Sequence, residues 1–321
     1  MKILITGGWG VLGSAVTARV VEEGYRPVLM GRTLDKRLIG PVLERIDVEQ
    51  GDVLDLPRLL SVMQAHKVTH IIHMAALIGA LSAQNPPHSV HVNVIGTLNV
   101  LEGARLMGTK RVIFTSAKGV YGDITGEHGH PTYKPLPEEY PKNPYRIYDS
   151  EKLMGEHMGQ FYRRTYGLEF AALRFSSTFG PGKTVRHGDK AALSRIIEGA
   201  FAGKPVRIEK GGDQKNDYIY NKDVAQGVFL ACTSPGLGHT EYNIGSGRSA
   251  TLNDFAEAVR RLVPGAQVEV GPGISEEKPN YSCIYDISRA RKDLGYEPRF
   301  TPEAAIADYL DTLRSIAPET D

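Results

Sequence analysis

The sequence predicts an α/β fold, a doubly wound parallel sheet with a smaller C-terminal lobe. Three observations predict it. Glycines recur three apart at Gly7, Gly10 and Gly13, directly after an apolar run at residues 2–6. Short apolar runs then alternate with long amphipathic stretches as far as residue 175, the pattern of strands covered by helices on both faces. Beyond Ser176 the runs shorten and glycines become more frequent. The expected division is a sheet-forming unit over residues 1–175 and a lobe over 176–321, some segments of which return to the sheet.

Taken in order, residues 2–6 (KILIT) read as the first strand, and 11–23 carry helical spacing that stops at Gly24. Residues 27–30 read as a second buried strand. The same pattern returns at 68–73 and 111–115, with a long helical stretch at 90–107 between them. Residues 145–166 read as a helix ended by Gly167, and 169–174 as another strand. The intervening 123–144 is irregular and holds five prolines (HPTYKPLPEEYPKNP). Loops of that length usually carry function. There is no internal repeat and no low-complexity tract.

Composition excludes several classes of partner. At 321 residues with 41% hydrophobic and 23% charged side chains, the chain is an ordinary globular one. A formal net charge of +1 supplies no field to draw it to nucleic acid or an anionic membrane. Cys232 and Cys283 lie far apart, which suits reduced thiols in a reducing compartment. The N-terminus opens on an apolar strand without a leader pattern, and no segment approaches membrane-spanning length. The expected setting is cytoplasmic.

The glycine turn points to a nucleotide. In "TGGWGVLG" the glycines permit a tight turn between strand and helix and let backbone N–H groups approach a pyrophosphate at the helix N-terminus. Val11 and Leu12 belong to the same turn. At the end of the second strand, "VLMGRT", a carboxylate would accept from the adenosine 2′-hydroxyl of NAD; the chain has Gly31 and then Arg32, with Lys36 and Arg37 nearby. A missing carboxylate and an added guanidinium favour the 2′-phosphate of NADP, although a solvated surface arginine would look the same in sequence.

In "YRIYDSEK", Tyr148 and Lys152 stand four apart at the head of a helix, one turn apart on one face. An ammonium so placed stabilises tyrosinate and lowers the phenol from about 10, allowing proton exchange with a substrate hydroxyl or carbonyl. "YIYNK" repeats the spacing with Tyr218 and Lys222. No long helix is expected around that second pair, which reads as chance.

Together these motifs resemble the extended short-chain dehydrogenase/reductases, in their NAD-dependent epimerase/dehydratase branch. The resemblance is carried by GxxGxxG, "GDVLD" from Gly51, "HMAA" from His73, "NVIGTLNVLEGAR" from Asn93, "VYGD" from Val120 and YxxxK. It continues through "DYIYNKDVA", "YNIGSG" and "DLGYEP". It implies a Rossmann sheet with Gly7, Gly10 and Gly13 at the pyrophosphate, Asp52 and Val53 at the adenine and Ala75 in the cofactor cleft. It also implies that Lys152 reaches the nicotinamide ribose, that Tyr148 is the general acid/base, and that a hydride moves at a secondary alcohol carbon. Members commonly dimerise through helices corresponding to 90–107 and 145–166, so a homodimer is expected.

The chain departs from the family at several positions. Counting back from "VYG", the active serine or threonine falls on Ala117. Three readings follow: Ser116 serves through a backbone bend, the chain is a natural or engineered variant lacking the hydroxyl, or it binds a dinucleotide as a sensor without turnover. Nucleotide-sugar members carry diphosphate-binding groups where this chain has Ser177, Asn216 and Lys278. Losing such charge-assisted donors argues against a diphosphate. "GKTVRH" supplies Lys183, Arg186 and His187, which suit a smaller anion such as a carboxylate or else form a solvated basic loop. The expected activity is therefore NAD(P)-dependent hydride transfer on a small sugar-like or hydroxy-acid substrate, with a nucleotide-sugar epimerase or dehydratase as the alternative. His88, His91, His128 and His130 lack a third ligand in sequence, so no metal is expected, and Trp9 reads as packing beside the cofactor.

Overall fold

A computed structural model describes residues 1–183, 191–276 and 278–316. Strands β1 (Ile3–Thr6), β2 (Val28–Gly31), β3 (Asp47–Gln50), β4 (His70–His73), β5 (Arg111–Ala117) and β6 (Glu169–Phe175) enter one parallel sheet. Short strands β7 (Ser177–Phe179), β8 (Val206–Ile208) and β9 (Tyr218–Tyr220) follow, then β10 (Glu241–Ile244) and β11 (Val268–Val270). The main sheet has seven strands in the order β10-β6-β5-β4-β1-β2-β3. Strand order reverses between β1 and β4, and in open α/β sheets a crevice opens there, outside the carboxyl ends of the strands. β10 pairs with β6, so a segment beyond residue 176 completes the sheet edge. β8 with β11 and β7 with β9 form separate two-stranded sheets.

The alternation of side chains along a strand explains the layering. Ile3 and Ile5 of β1 join one apolar cluster with Val16 and Val20 of the helix Val11–Glu22 and Val224 and Val228 of the helix Asn221–Thr233. Leu4, between them, faces the opposite cluster with Leu59, Val62, Val100 and Leu101, from the helices Leu56–His66 and Gly96–Leu106. A third cluster, including Phe179, Ile196, Phe255 and Tyr309, is the core of the C-terminal lobe.

The doubly wound expectation is met, with local differences. β3 escaped the sequence because DVEQ alternates half-buried and exposed positions at the sheet edge, so it carries no apolar run. The stretch expected as one helix at 90–107 is Pro86–Val90, a π-helical turn at His91–Ile95, and Gly96–Leu106. The expectation of no long helix at "YIYNK" is corrected: Tyr218 lies on β9, but Lys222 opens the helix Asn221–Thr233. That helix is buried on almost every side, which removes the amphipathic stripe by which a helix is recognised.

The helix Ile147–Tyr166 lies hard against β5 and β6. A Cβ added at Gly159 would stand 2.0 Å from the ring of Phe170. That approach sets the depth at which the first turn of the helix, with Tyr148 and Lys152, meets the end of β5.

Candidate active site

A cleft of about 1050 Å³ opens at the carboxyl ends of the strands. Its first wall is backbone. Gly10 N–H donates to the Gly7 carbonyl at 3.0 Å, and Gly7 has φ +73. A Cβ at Gly13 would lie 2.2 Å from the Gly7 carbonyl oxygen, and one at Gly7 would lie 2.7 Å from Ala75 N. The helix Val11–Glu22 has no side-chain cap at its start, so its first N–H groups are available to an anion. Val11, Leu12, Asp52, Val53 and Ala75 line the same wall. Asp52 is turned onto its own backbone, accepting from Leu54 N at 3.0 Å.

His73 fastens that wall from below. Thr6 Oγ1 lies 2.7 Å from its Nδ1 and Thr97 Oγ1 3.0 Å from its Nε2. Because the Thr97 hydroxyl donates to the Asn93 carbonyl at 2.6 Å, Nε2 carries the proton and Nδ1 accepts from Thr6. Burial, with Lys152 adding to it, pulls this imidazole down to about 3.

At the end of β2, the ring of Trp9 occupies the space that a side chain at 31 would need: a Cβ on Gly31 would stand 2.9 Å from the indole. Arg32 reaches back so that its Nε lies 3.8 Å from Asp52 Oδ2, with most of its side chain exposed.

The Tyr148 ring and Lys152 meet at the middle of the cleft, the Lys152 Nζ 5.6 Å from the Tyr148 ring centroid and 4.6 Å from that of Phe114. Lys152 Nζ donates to the Thr115 carbonyl at 2.7 Å, and burial pulls it down to about 8, opposed by Glu151 and Glu156. One expectation is corrected here. Lys152 does not lower the Tyr148 phenol; burial drives it above its ordinary value, and the nearby charges of Asp149 and Glu151 add to the rise. The ammonium faces the ring and is held by a backbone carbonyl, and the phenol of the half-buried Tyr148, raised above its ordinary value, is protonated at neutral pH.

Ala117 ends β5 and lines the cleft. Its neighbours' hydroxyls are engaged elsewhere. Ser116 Oγ donates to Glu156 at 2.5 Å, and Thr115 Oγ1 donates to the His73 carbonyl at 3.2 Å. Glu156 is itself locked to Arg174 at 2.6 Å, both fully buried, and Arg174 donates onward to Tyr121 and to the Glu138 carbonyl, each at 3.0 Å.

The far wall is built from side chains of β5, β7 and the loop before β9. Ser177, Asn216 and Lys183 all reach it; Arg186 and His187 lie outside the described residues. Lys278 stands apart, paired with Asp123 at 3.1 Å, and Lys222 is paired with Asp308 at 2.6 Å. Sequence reasoning missed Lys118. Its Nζ donates to Ser177 Oγ at 2.5 Å and reaches Asn216 Oδ1 at 3.4 Å, and Asn216 Nδ2 donates to Ser177 Oγ at 2.7 Å. The signal was present: a lysine directly after the last residue of a central parallel strand, where ligands of such sheets bind.

A glycine turn at a topological switch point, with a tyrosine and lysine at the head of the helix Ile147–Tyr166, defines a dinucleotide-dependent oxidoreductase fold. Residues 3–245 match the model of the NAD-dependent epimerase/dehydratase family. The chain belongs to that family, whose enzymes are of the extended short-chain dehydrogenase/reductase type. It is 27% identical to the UDP-glucose 4-epimerase of Mycolicibacterium smegmatis, across 98% of this chain and 99% of that one. It is 28% identical to the dTDP-glucose 4,6-dehydratase of Escherichia coli, across 95% and 91%. Among solved structures, the Thermotoga maritima UDP-glucose 4-epimerase with UDP-glucose superposes with a TM-score of 0.84 at 25% identity, over 98% of this chain and 99% of that one. The Thermus thermophilus UDP-glucose 4-epimerase in complex with NAD superposes at 0.82 and 26%, with the same coverage.

Proposed function

We propose that the chain is an NADP-dependent oxidoreductase or epimerase acting on a secondary alcohol or carbonyl of a small sugar-like or hydroxy-acid substrate. The carrying observation is one continuous cleft lined by the glycine turn, by Tyr148 and Lys152, and by Lys118 and Lys183, which have no carboxylate partner among the described residues. In this reading residues 1–175 hold the cofactor and 176–321 mainly hold the substrate. The backbone cradle at Gly7 and Gly13, which a Cβ would fill, fits a pyrophosphate. Bound there, the nicotinamide supplies the hydride donor or acceptor.

The residues of the chain divide the remaining work. Lys152, facing the Tyr148 ring, anchors the nicotinamide ribose. Tyr148, kept protonated by burial, gives its proton to the substrate oxygen as hydride arrives at carbon and takes it back in the reverse direction. Ala117 leaves the second hydrogen bond to that oxygen unmade. NADP is supported at the end of β2, where Trp9 fills the place of a carboxylate and Arg32 is free to turn from Asp52 onto a 2′-phosphate.

A second reading, a nucleotide-sugar epimerase or dehydratase, is favoured by the names of the relatives. A cytoplasmic homodimer is inferred as well. It is supported by apolar side chains exposed on the helices Gly96–Leu106 and Ile147–Tyr166, including Leu106, Met154 and Phe161.

The test is oxidation of NADPH by the intact protein against a panel of keto and aldehyde sugars and sugar acids, with Tyr148→Phe beside it. The expected result is turnover that Tyr148→Phe lowers by roughly 10²–10⁴-fold. Undiminished turnover in the phenylalanine variant removes Tyr148 from the reaction. Thermal stabilisation by UDP or dTDP puts the nucleotide-sugar reading first.

A further inference from the structure

Lys118 and Lys183 both line the far wall of the cleft, close enough for the charge of one to act on the other. Lys118 follows the last residue of β5, and Lys183 follows β7 after a short turn. Each is held by neutral oxygens. Lys118 bonds Ser177 and Asn216, whereas Lys183 bonds the Thr178 carbonyl and, at 2.6 Å, the Thr178 hydroxyl. Neither has a carboxylate partner among the described residues. An ammonium has three N–H donors, so each keeps one in reserve after two such bonds.

The carboxylates nearest this wall are engaged. Asp149 accepts from Tyr281 at 2.5 Å and from the backbone of Arg146 at 3.2 Å. Asp217 is fully buried and takes bonds from Ser176, Ser246 and the Gly247 backbone. Two half-buried cations held only by neutral oxygens, with no carboxylate partner among the described residues, are costly to keep side by side. Both lysines sit below their ordinary values: Lys118 by burial, opposed by Cys283 and the charge of Asp217, and Lys183, at about 7, by burial and then by the charge of Lys118. A protein keeps such a pair where an arriving anion neutralises it.

We propose that Lys118 and Lys183 form a carboxylate subsite that selects a sugar acid or hydroxy acid, with Ser177 and Asn216 acting as the bracket that aims Lys118. The inference deepens the function proposed above and rests on that placement of the substrate. Lys118 also closes the positions at which a nucleotide diphosphate would need donors, because Ser177 and Asn216 both bond to it. A carboxylate fits better than a phosphate. At this wall the donors are two point charges with single free N–H groups, while the Arg146 guanidinium that also lines the cleft lies over the Tyr281 ring, and a monoanion matches a pair that repels its own second charge.

The test is calorimetric titration of the NADPH-loaded protein with D-gluconate, D-galactonate and D-galacturonate. D-Galactose and D-glucose 6-phosphate serve as the neutral and phosphorylated controls. The acids are expected to bind and the neutral sugar to bind at least tenfold more weakly. Lys118→Met and Lys183→Met should each weaken the acids by about tenfold or more. Affinity for NADPH should stay that of the parent, which also reports that the variants fold, and Lys118→Arg should restore part of the acid binding. The proposal is overturned if none of the acids binds at tens of millimolar, if the phosphate binds in their place, or if either methionine variant leaves acid affinity unchanged. The function itself is read separately by NADPH oxidation. Acid binding without turnover sinks the reaction and keeps the subsite, whereas turnover of a neutral sugar keeps the reaction and sinks the subsite.

Discussion

The two walls of the cleft are made of different material. Along the glycine turn the surface is backbone, where a single added Cβ at Gly13 would strike the Gly7 carbonyl. Along the far wall the surface is side chain, and Lys118, Ser177 and Asn216 hold one another by hydrogen bonds that many other residues could replace. The first wall leaves little freedom at its turn: Gly7 and Gly13 are glycines because nothing larger fits there. The second can be rebuilt one side chain at a time while the sheet stays as it is. A shared fold with relatives under 30% identical therefore fixes the cofactor end of the reaction far more tightly than the substrate end.

The largest effect is expected at the buried ion pair that joins β5, β6 and the helix Ile147–Tyr166. Glu156, on the helix that carries Tyr148, holds Arg174 of β6 and accepts from Ser116 of β5. Glu156→Ala leaves a guanidinium buried without its partner and should cost about 3–5 kcal/mol, measured by urea denaturation. A loss below about 1 kcal/mol would mean that the buried Arg174 finds another partner once Glu156 is gone.

Ala117 stands on the boundary between the walls. With Ser116 and Thr115 engaged elsewhere, Ala117→Ser should raise turnover by roughly 10²-fold and leave NADPH affinity unchanged. A flat response would mean that the chemistry uses no hydroxyl at that position.

The cofactor wall has its own acid limit at His73. The folded imidazole titrates at about 3 and the unfolded one near 6.5, so between those values the unfolded chain binds the extra proton. This contribution to stability is complete above pH 6.5 and declines as pH falls, by about 1.4 kcal/mol per unit at most. His73→Asn should flatten the slope of stability against pH by close to one proton over that window. An unchanged slope would show that His73 is not what fails in acid.

The smallest effect sharpens the contrast, because the proposed 2′-phosphate contact would come from a side chain, Arg32, on the backbone wall. Arg32→Ala should lower the preference for NADPH over NADH by roughly tenfold, about one charge-assisted hydrogen bond, read by fluorescence titration. A preference that survives would place 2′-phosphate recognition on backbone groups alone.

Short stretches of the chain were enough to establish the doubly wound sheet, the glycine turn and the placing of Tyr148 and Lys152 one turn apart. These are local properties: apolar runs, residues that only a tight turn requires, and the period of a helix. Such stretches did not show β3, whose edge position gives it no apolar run, nor the buried helix Asn221–Thr233, whose stripe is lost because it is covered on almost every side. Tertiary structure alone decided what the charged groups do. Ser116 turns to Glu156, the Tyr148 phenol rises through burial, and Lys118 closes on Ser177 and Asn216, 59 and 98 residues further along the chain. Burial and long-range partners set those outcomes, and neither is a property of any short stretch of sequence.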